Sequence, residues 1–178
     1  MPWDPLVRIC VARPSYSMME RAYRDYLADS APCKNPDINN QCAVRMSVAL
    51  GRCGFDLLGF PNRRRVHSGR RTCQLQVEHV VGARELADYL VTALCIPQRF
   101  DAKQADDART TLAGQRGIIY FNNCFRRTAG GPMIGDHIDL FDGTNYYNEI
   151  IRVSAGGDAR SGTDLFRRAD QVWFFPLT

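Results

Sequence analysis

Seven cysteines and three histidines carry most of the chemical potential of this sequence. Cys42 stands apart by its setting. In INNQCAVRMSVALGRCG, residues 38–54, it follows a run of polar amides and opens an apolar pattern formed by Val44, Met46, Val48, Ala49 and Leu50. That pattern predicts a helix over 42–50, with Gly51 or Gly54 to end it. A cysteine at a helix start sees the positive end of the macrodipole and the unpaired N–H groups of the first turn, which favour the thiolate. The same groups can hold an oxyanion once sulfur attacks a carbonyl. The competing assignment is a buried thiol that only packs.

A thiolate nucleophile needs a base. His137 lies in GPMIGDHIDLFDGTNYYNE, where strand alternation puts His137, Asp139 and Phe141 on one face and Ile138 and Leu140 on the other. Asp142-Gly143 signals a two-residue hairpin turn. That turn pairs Phe141 with Thr144, Leu140 with Asn145, Asp139 with Tyr146, Ile138 with Tyr147 and His137 with Asn148. Directly opposed residues share a face, with Cβ atoms about 4.5–5.5 Å apart. Asn148 is then placed to orient the imidazole, giving nucleophile, base and orienter as Cys-His-Asn. A longer loop around Gly143 puts Ile150 opposite His137 and removes Asn148. Asp139 is the alternative orienter, although neighbours two apart on one strand stand roughly parallel, about 6–7 Å apart. An ordinary hairpin with a partly exposed histidine is the competing reading. His67, in an arginine-rich loop that would depress its pKa, and His79, at a strand end or helix approach, lack such an orienter and rank below His137.

The elements that must position these residues are legible in outline. Ser17 to Glu20 reads as a capping box, followed by an apolar stripe of Met19, Tyr23, Tyr26 and Leu27. Residues 29–41 read as a loop. A third helix covers 82–94 and a polar fourth, or part of one, covers 101–112. Strands follow at 117–121, 137–141, 145–153 and 171–175. Helices first and an antiparallel sheet afterwards is the α+β order, not alternating βαβ. With 178 residues, no internal repeat and no low-complexity linker, a single domain over 1–178 is expected.

Composition limits the function classes. Apolar residues make up 45% and charged residues 24%, ordinary for a soluble globular protein. The net charge of +4 suits an acidic or polymeric partner without requiring one. Arg63, Arg64, Arg65, Arg70 and Arg71, extended by Arg126 and Arg127, raise a second class, a basic module gripping phosphate or nucleic acid. The small net charge and the lack of an aromatic stacking motif favour a solvated loop and no nucleic-acid partner. The most apolar stretch, residues 86–96, is too short to cross a bilayer, so no membrane association is expected. The first residues lack a signal-peptide pattern. The cysteines form no C-x-x-C pair and no Cys/His cluster of zinc-ligand spacing. Their odd number leaves at least one thiol free in a monomer. Seven cysteines without a signal peptide imply either a reduced cytosolic protein or exit by a route that needs no cleaved signal.

CAVRMSVAL, residues 42–50, together with GDHIDLFDG, residues 135–143, resembles the family 4 amidase effectors of bacterial type VI secretion. These are small peptidoglycan amidases with an NlpC-like, papain-related fold. The first segment matches the family's Cys-Ala-aliphatic-Arg-Met-Ser opening of the catalytic helix, and the second its Gly-(x)-His-Ile-Asp-Leu-aromatic strand. The resemblance spans roughly residues 35–148. It implies Cys42 as nucleophile and His137 as general base. The family's third residue is usually an aspartate on the strand after the histidine, where this chain has Asn148. That is a departure toward the papain pattern, and an amide stabilises imidazolium less than a carboxylate does. Asp139 stays open as the alternative.

The implied reaction is hydrolysis of the amide joining the D-glutamate γ-carboxyl to meso-diaminopimelate in the peptidoglycan stem. Helix-start N–H groups, including that of Cys42, would hold the oxyanion, and His137 would protonate the leaving amine. No metal or organic cofactor is implied. The family further implies synthesis in the producer cytoplasm without a signal peptide and injection by the type VI secretion machinery into the periplasm of a target cell. It also implies a cognate immunity protein that blocks the site. Periplasmic work would allow disulfides, for instance around Cys124 or between Cys53 and Cys73. A catalytically inactive homologue is a third reading.

Overall fold

The computed structural model describes residues 14–25, 32–35, 38, 40–57, 59–60, 65–66, 79–147 and 164–178. The first helix, α1 (Tyr16–Arg24), is capped by Ser15, whose extended backbone lets its hydroxyl accept the Met18 N–H at 3.3 Å. The cap therefore falls two residues before the predicted one at Ser17, whose hydroxyl lies 3.1 Å from that of Ser15. The Tyr16 N–H donates to the Thr178 carbonyl at 2.7 Å, tying α1 to the chain's last residue. Met19 and Tyr23 of the predicted stripe are buried; Tyr26 and Leu27 lie outside the described residues.

The second helix, α2 (Cys42–Arg52), buries eight of its eleven residues, all of Cys42 through Leu50 except Arg45. A helix covered on so many sides lies inside the fold. Of the two predicted stops, Gly54 serves: it adopts φ +80°, and the Phe55 N–H returns to the Leu50 carbonyl at 3.0 Å. Strands β1 (Arg65–Val66) and β2 (His79–Val80) form a two-stranded antiparallel ladder. The Val80 N–H donates to Ser47 Oγ at 2.9 Å, fastening that ladder to α2. Helix α3 (Ala83–Ala93) buries Ala83, Leu86, Ala87 and Leu90.

The main sheet contains β3 (Gln98–Asp101), β4 (Gly117–Arg126), β5 (Met133–Phe141) and β6 (Gln171–Pro176), in the order β3-β6-β4-β5, with every neighbouring pair antiparallel. Alternation divides the core. Ile118, Tyr120, Ile138 and Leu140 join α1, α2 and α3 in one cluster. Ile119, Phe121, Phe141 and Phe174 join Ala108 of helix α4 (Ala105–Thr111) and Leu165 and Phe166 of helix α5 (Leu165–Arg168) in another. The α+β class, with the N-terminal helices packed on an antiparallel sheet, is the observed architecture. Strand β3 was not anticipated. Its residues are largely exposed on the sheet edge, so QRFD shows no apolar alternation. Pairing with β6 and the stacking of Arg99 4.2 Å above the Trp173 ring hold it there instead. The predicted helix over 101–112 accordingly shortens.

The connection after β5 also departs from expectation. Asp142 Oδ1 accepts the N–H groups of Thr144 at 2.8 Å and Asn145 at 2.7 Å, and the Asp142 N–H donates to the Asn145 carbonyl at 3.0 Å. Phe141 consequently bridges Tyr146, not Thr144. The side chain of Asp142 organises a four-residue connection in place of the two-residue turn. The Gly143 carbonyl accepts from the Gly114 N–H at 2.9 Å, which draws the loop toward a neighbouring turn. Tyr147 is already helical and so does not belong to the predicted strand over 145–153. Residues 148–153 lie outside the described residues. Among the described residues, no helix is long and apolar enough to cross a membrane.

Candidate active site

The polar amides before α2 each have a defined task. Gln41 folds its side chain back into the preceding loop: Oε1 accepts the Cys33 N–H at 3.0 Å, and Nε2 donates to the carbonyls of Cys33 at 3.1 Å and Ile38 at 2.7 Å. Gln41 itself makes no side-chain cap. Asn40 does that work from one residue earlier, its Oδ1 accepting the Cys42 N–H at 3.1 Å. The same amide donates from Nδ2 to the Asp136 carbonyl at 3.4 Å. Asn40 thus links the start of α2 to the residue preceding His137. The Cys42 N–H, expected to be open for an oxyanion, is engaged in this resting arrangement.

On β5, His137 and Asp139 are both buried. His137 Nε2 lies 3.2 Å from Asp139 Oδ2, and the Cys42 side chain is among the groups that raise the pKa of the same imidazole. With Nε2 turned to Asp139, Nδ1 is the nitrogen left for the Cys42 sulfur. The geometric objection to Asp139 is overcome because its carboxylate is held from other directions. Oδ1 accepts the Tyr23 hydroxyl at 2.8 Å and the Leu140 N–H at 2.9 Å. The imidazole stacks on Phe121 with ring centres 6.4 Å apart and meets the edge of Tyr146 at 6.3 Å.

The neighbouring part of β4 carries an irregularity between Phe121 and Phe125, with Asn123 at φ +51°. Asp136 stabilises it, its Oδ1 accepting from Asn122 Nδ2 and the Asn123 N–H, each at 3.0 Å. Bulges commonly re-aim adjacent side chains. This one sits beside the strand segment that presents His137.

Burial alone draws the imidazole of His137 toward its neutral form. Its hydrogen bonds to Asp139 and Cys42, and their charges, outweigh that effect and raise its pKa to about 10. At neutral pH the ring is therefore an imidazolium. Cys124 has the opposite character: burial first, then the charge of Cys42, pushes its thiol up to about 12. It remains a thiol and donates to the Gly135 carbonyl at 3.4 Å. Cys42, Cys53 and Cys124 carry free thiols. Cys124 is committed to the core, away from any disulfide, and Cys53 packs as the C-cap of α2; Cys73, its suggested partner, lies outside the described residues.

The structure brings Cys42, His137 and Asp139 together. Asn148 lies outside the described residues, and the hairpin register that placed it opposite His137 does not form. His79 is buried in β2 opposite Val66. His67, Arg63, Arg64, Arg70 and Arg71 lie outside the described residues, and Arg65 belongs to β1. Sequence reasoning missed Asn40 and Tyr23. An asparagine just ahead of a helix is a preferred cap and could have been singled out; Tyr23 looked like one more member of an apolar stripe. Among the described residues, no group of three or more His, Cys, Asp or Glu could hold a metal ion.

The model of the family described as type VI secretion system amidase effector protein 4, Tae4, matches residues 38–175. No curated protein sequence matches the chain. Among solved structures, a Salmonella typhimurium Tae4 bound to the immunity protein Tai4 is 19% identical, with a TM-score of 0.64 over 94% of this chain and 100% of the other. A Salmonella typhimurium Tae4 bound to the Enterobacter cloacae Tai4 is 18% identical, with a TM-score of 0.62 over 93% and 100%. The Enterobacter cloacae Tae4 is 16% identical, with a TM-score of 0.61 over 94% and 98%. These likenesses establish a common fold.

Proposed function

The chain belongs to the type VI secretion amidase effector 4 family, and from that premise we propose that Cys42 is the nucleophile and His137 the acid–base group of a peptidoglycan amidase. The observation that carries this is the convergence of a helix-start cysteine with a buried imidazole whose far nitrogen is 3.2 Å from Asp139. Asp139 serves as orienter, supported by that contact; Asn148 is the rival for the role. The whole chain acts as one amidase domain.

The substrate is the stem peptide, cut between the γ-carboxyl of D-glutamate and the amine of meso-diaminopimelate. The Cys42 sulfur bonds to the γ-carbonyl carbon, and negative charge develops on the carbonyl oxygen. First-turn N–H groups of α2 face that charge. The Cys42 N–H joins them when the oxyanion replaces Asn40 Oδ1 as its acceptor. Collapse breaks the carbon–nitrogen bond as the His137 imidazolium passes a proton to the departing amine. His137, now neutral, takes a proton from water, and the resulting attack on the thioester frees the γ-carboxyl and restores the sulfur.

The family's secretion route supports delivery by the type VI machinery into the periplasm of a target cell. The relatives' complexes with Tai4 support a cognate immunity protein covering the Cys42–His137 cleft in the producer. Digestion of purified sacculi by wild type and Cys42→Ala, with muropeptides read by mass spectrometry, tests the reaction. Fragments cut between glutamate and diaminopimelate are expected from the wild type only. Intact stems after treatment with folded, reduced wild type would sink the proposal.

A further inference from the structure

We infer that Tyr23 is a positioning residue of this site, reaching from α1 to hold Asp139 in the one orientation that meets His137. The inference rests on the assignment of Cys42 and His137 above. It concerns a part of the chain ahead of residue 38, where the family match begins.

The argument starts from strand geometry. Side chains two apart on one strand project in parallel, separated by about 6–7 Å. Yet His137 Nε2 and Asp139 Oδ2 are 3.2 Å apart. The carboxylate must lean along the strand, and something must keep it leaning. Two donors do so. The Leu140 N–H comes from the outer strand of the sheet and reaches Oδ1 at 2.9 Å. The Tyr23 hydroxyl reaches the same oxygen at 2.8 Å from 116 residues away in sequence. With Oδ1 held by both, the carboxylate keeps its lean and Oδ2 faces the imidazole.

Tyr23 is suited to this. It is 2% exposed, and its ring packs edge-on against Tyr147 with centres 5.7 Å apart. Burial first, then the charge of Asp139 and the hydrogen bond to it, raise the phenol's pKa well above its ordinary value. Tyr23 therefore stays protonated and always donates. A backbone N–H alone cannot set the carboxylate's rotation, because it follows the strand; the phenol adds a second, independent direction.

The test is a double-mutant cycle with Tyr23→Phe, Asp139→Ala and the pair. Phenylalanine keeps the ring against Tyr147 and removes only the hydroxyl, and thermal unfolding checks that the fold persists. Two rates are followed: kcat and KM on a soluble stem tetrapeptide, and alkylation of Cys42 by iodoacetamide across pH. Tyr23→Phe is expected to lower kcat about tenfold, the worth of one hydrogen bond to a charged group, with KM little changed. In the Asp139→Ala background the same change should cost nothing further. Unchanged kcat and alkylation in Tyr23→Phe, or costs that simply add, would overturn the inference. Wild-type protein that cleaves no stem would instead remove the amidase assignment, while the alkylation cycle would still decide the role of Tyr23.

Discussion

The start of α2 and the strand β5 meet at one site, but they are built by different means. Around Cys42 the positioning contacts are near in sequence: Asn40 is two residues away, and Gln41 reaches back eight to Cys33. Around His137 they are remote, with Tyr23 acting across 116 residues and Asn40 across 96. A nucleophile raised on a helix start needs little beyond its own segment, because the helix supplies the field and the N–H groups. A base on a strand needs an orienter, and a strand keeps its same-face neighbours parallel, about 6–7 Å apart. The second requirement can be met only by tertiary structure.

The largest effect that sharpens this comparison should come from removing the base. His137→Ala is expected to lower muropeptide release by about 10²–10⁴-fold. Adding Cys42→Ala should then cost little more, since groups that act as a unit do not sum. Additive losses would mean that the two sides of the site work separately. The same imidazole sets the pH dependence. Its folded-state pKa is raised from 6.5 to about 10. The pair's contribution to stability is therefore full below pH 6.5 and is lost as pH climbs through about 10. Turnover should fall over the same alkaline range, as the leaving amine loses its proton donor. A pH–rate profile that declines near pH 7 would contradict this.

The next effect asks where the orienter comes from. Asp139→Ala should cost about 10²-fold or more if that carboxylate holds the imidazolium, by analogy with the aspartate of the Ser-His-Asp triad. Asn148→Ala should cost far less. The reverse ranking would move the orienter into the segment after β5, and the base would then be assembled from two strands' worth of chain.

How much was legible follows from the same division. Helix α2, its glycine stop, the strand carrying His137 and the closing strand all announce themselves through local periodicity, and so the α+β order could be read directly. Cys42 and His137 were found for the same reason. The register after β5 was not, because Asp142 can either start a two-residue turn or gather two N–H groups with its own carboxylate, and Asp-Gly reads alike in both cases. The loop that forms also accepts a hydrogen bond from Gly114, which lies in a separate turn. Strand β3 escaped notice because edge strands need not alternate. Asp139 was undervalued because strand spacing argues against it until Tyr23 is placed. Tyr23 in turn is indistinguishable in sequence from Met19, its neighbour in the same buried stripe.

The smallest effect separates two roles of Asn40, the residue at which the local and remote supports join. As a cap, it satisfies the Cys42 N–H. As a bridge, it also donates to the Asp136 carbonyl at 3.4 Å and so registers α2 against β5. Serine caps helices about as well as asparagine, but its shorter side chain cannot span both contacts. Asn40→Ala should lower both thermal stability, by about 1 kcal/mol, and turnover, by several-fold. Asn40→Ser should restore the stability and leave turnover low. If serine restores both, the bridge does nothing, and the two regions are registered only by the packing of α2 on the sheet. If serine restores stability alone, the nucleophile's side of the site is less self-sufficient than its sequence suggests. Its position then depends on one side-chain amide held across to the strand of its base.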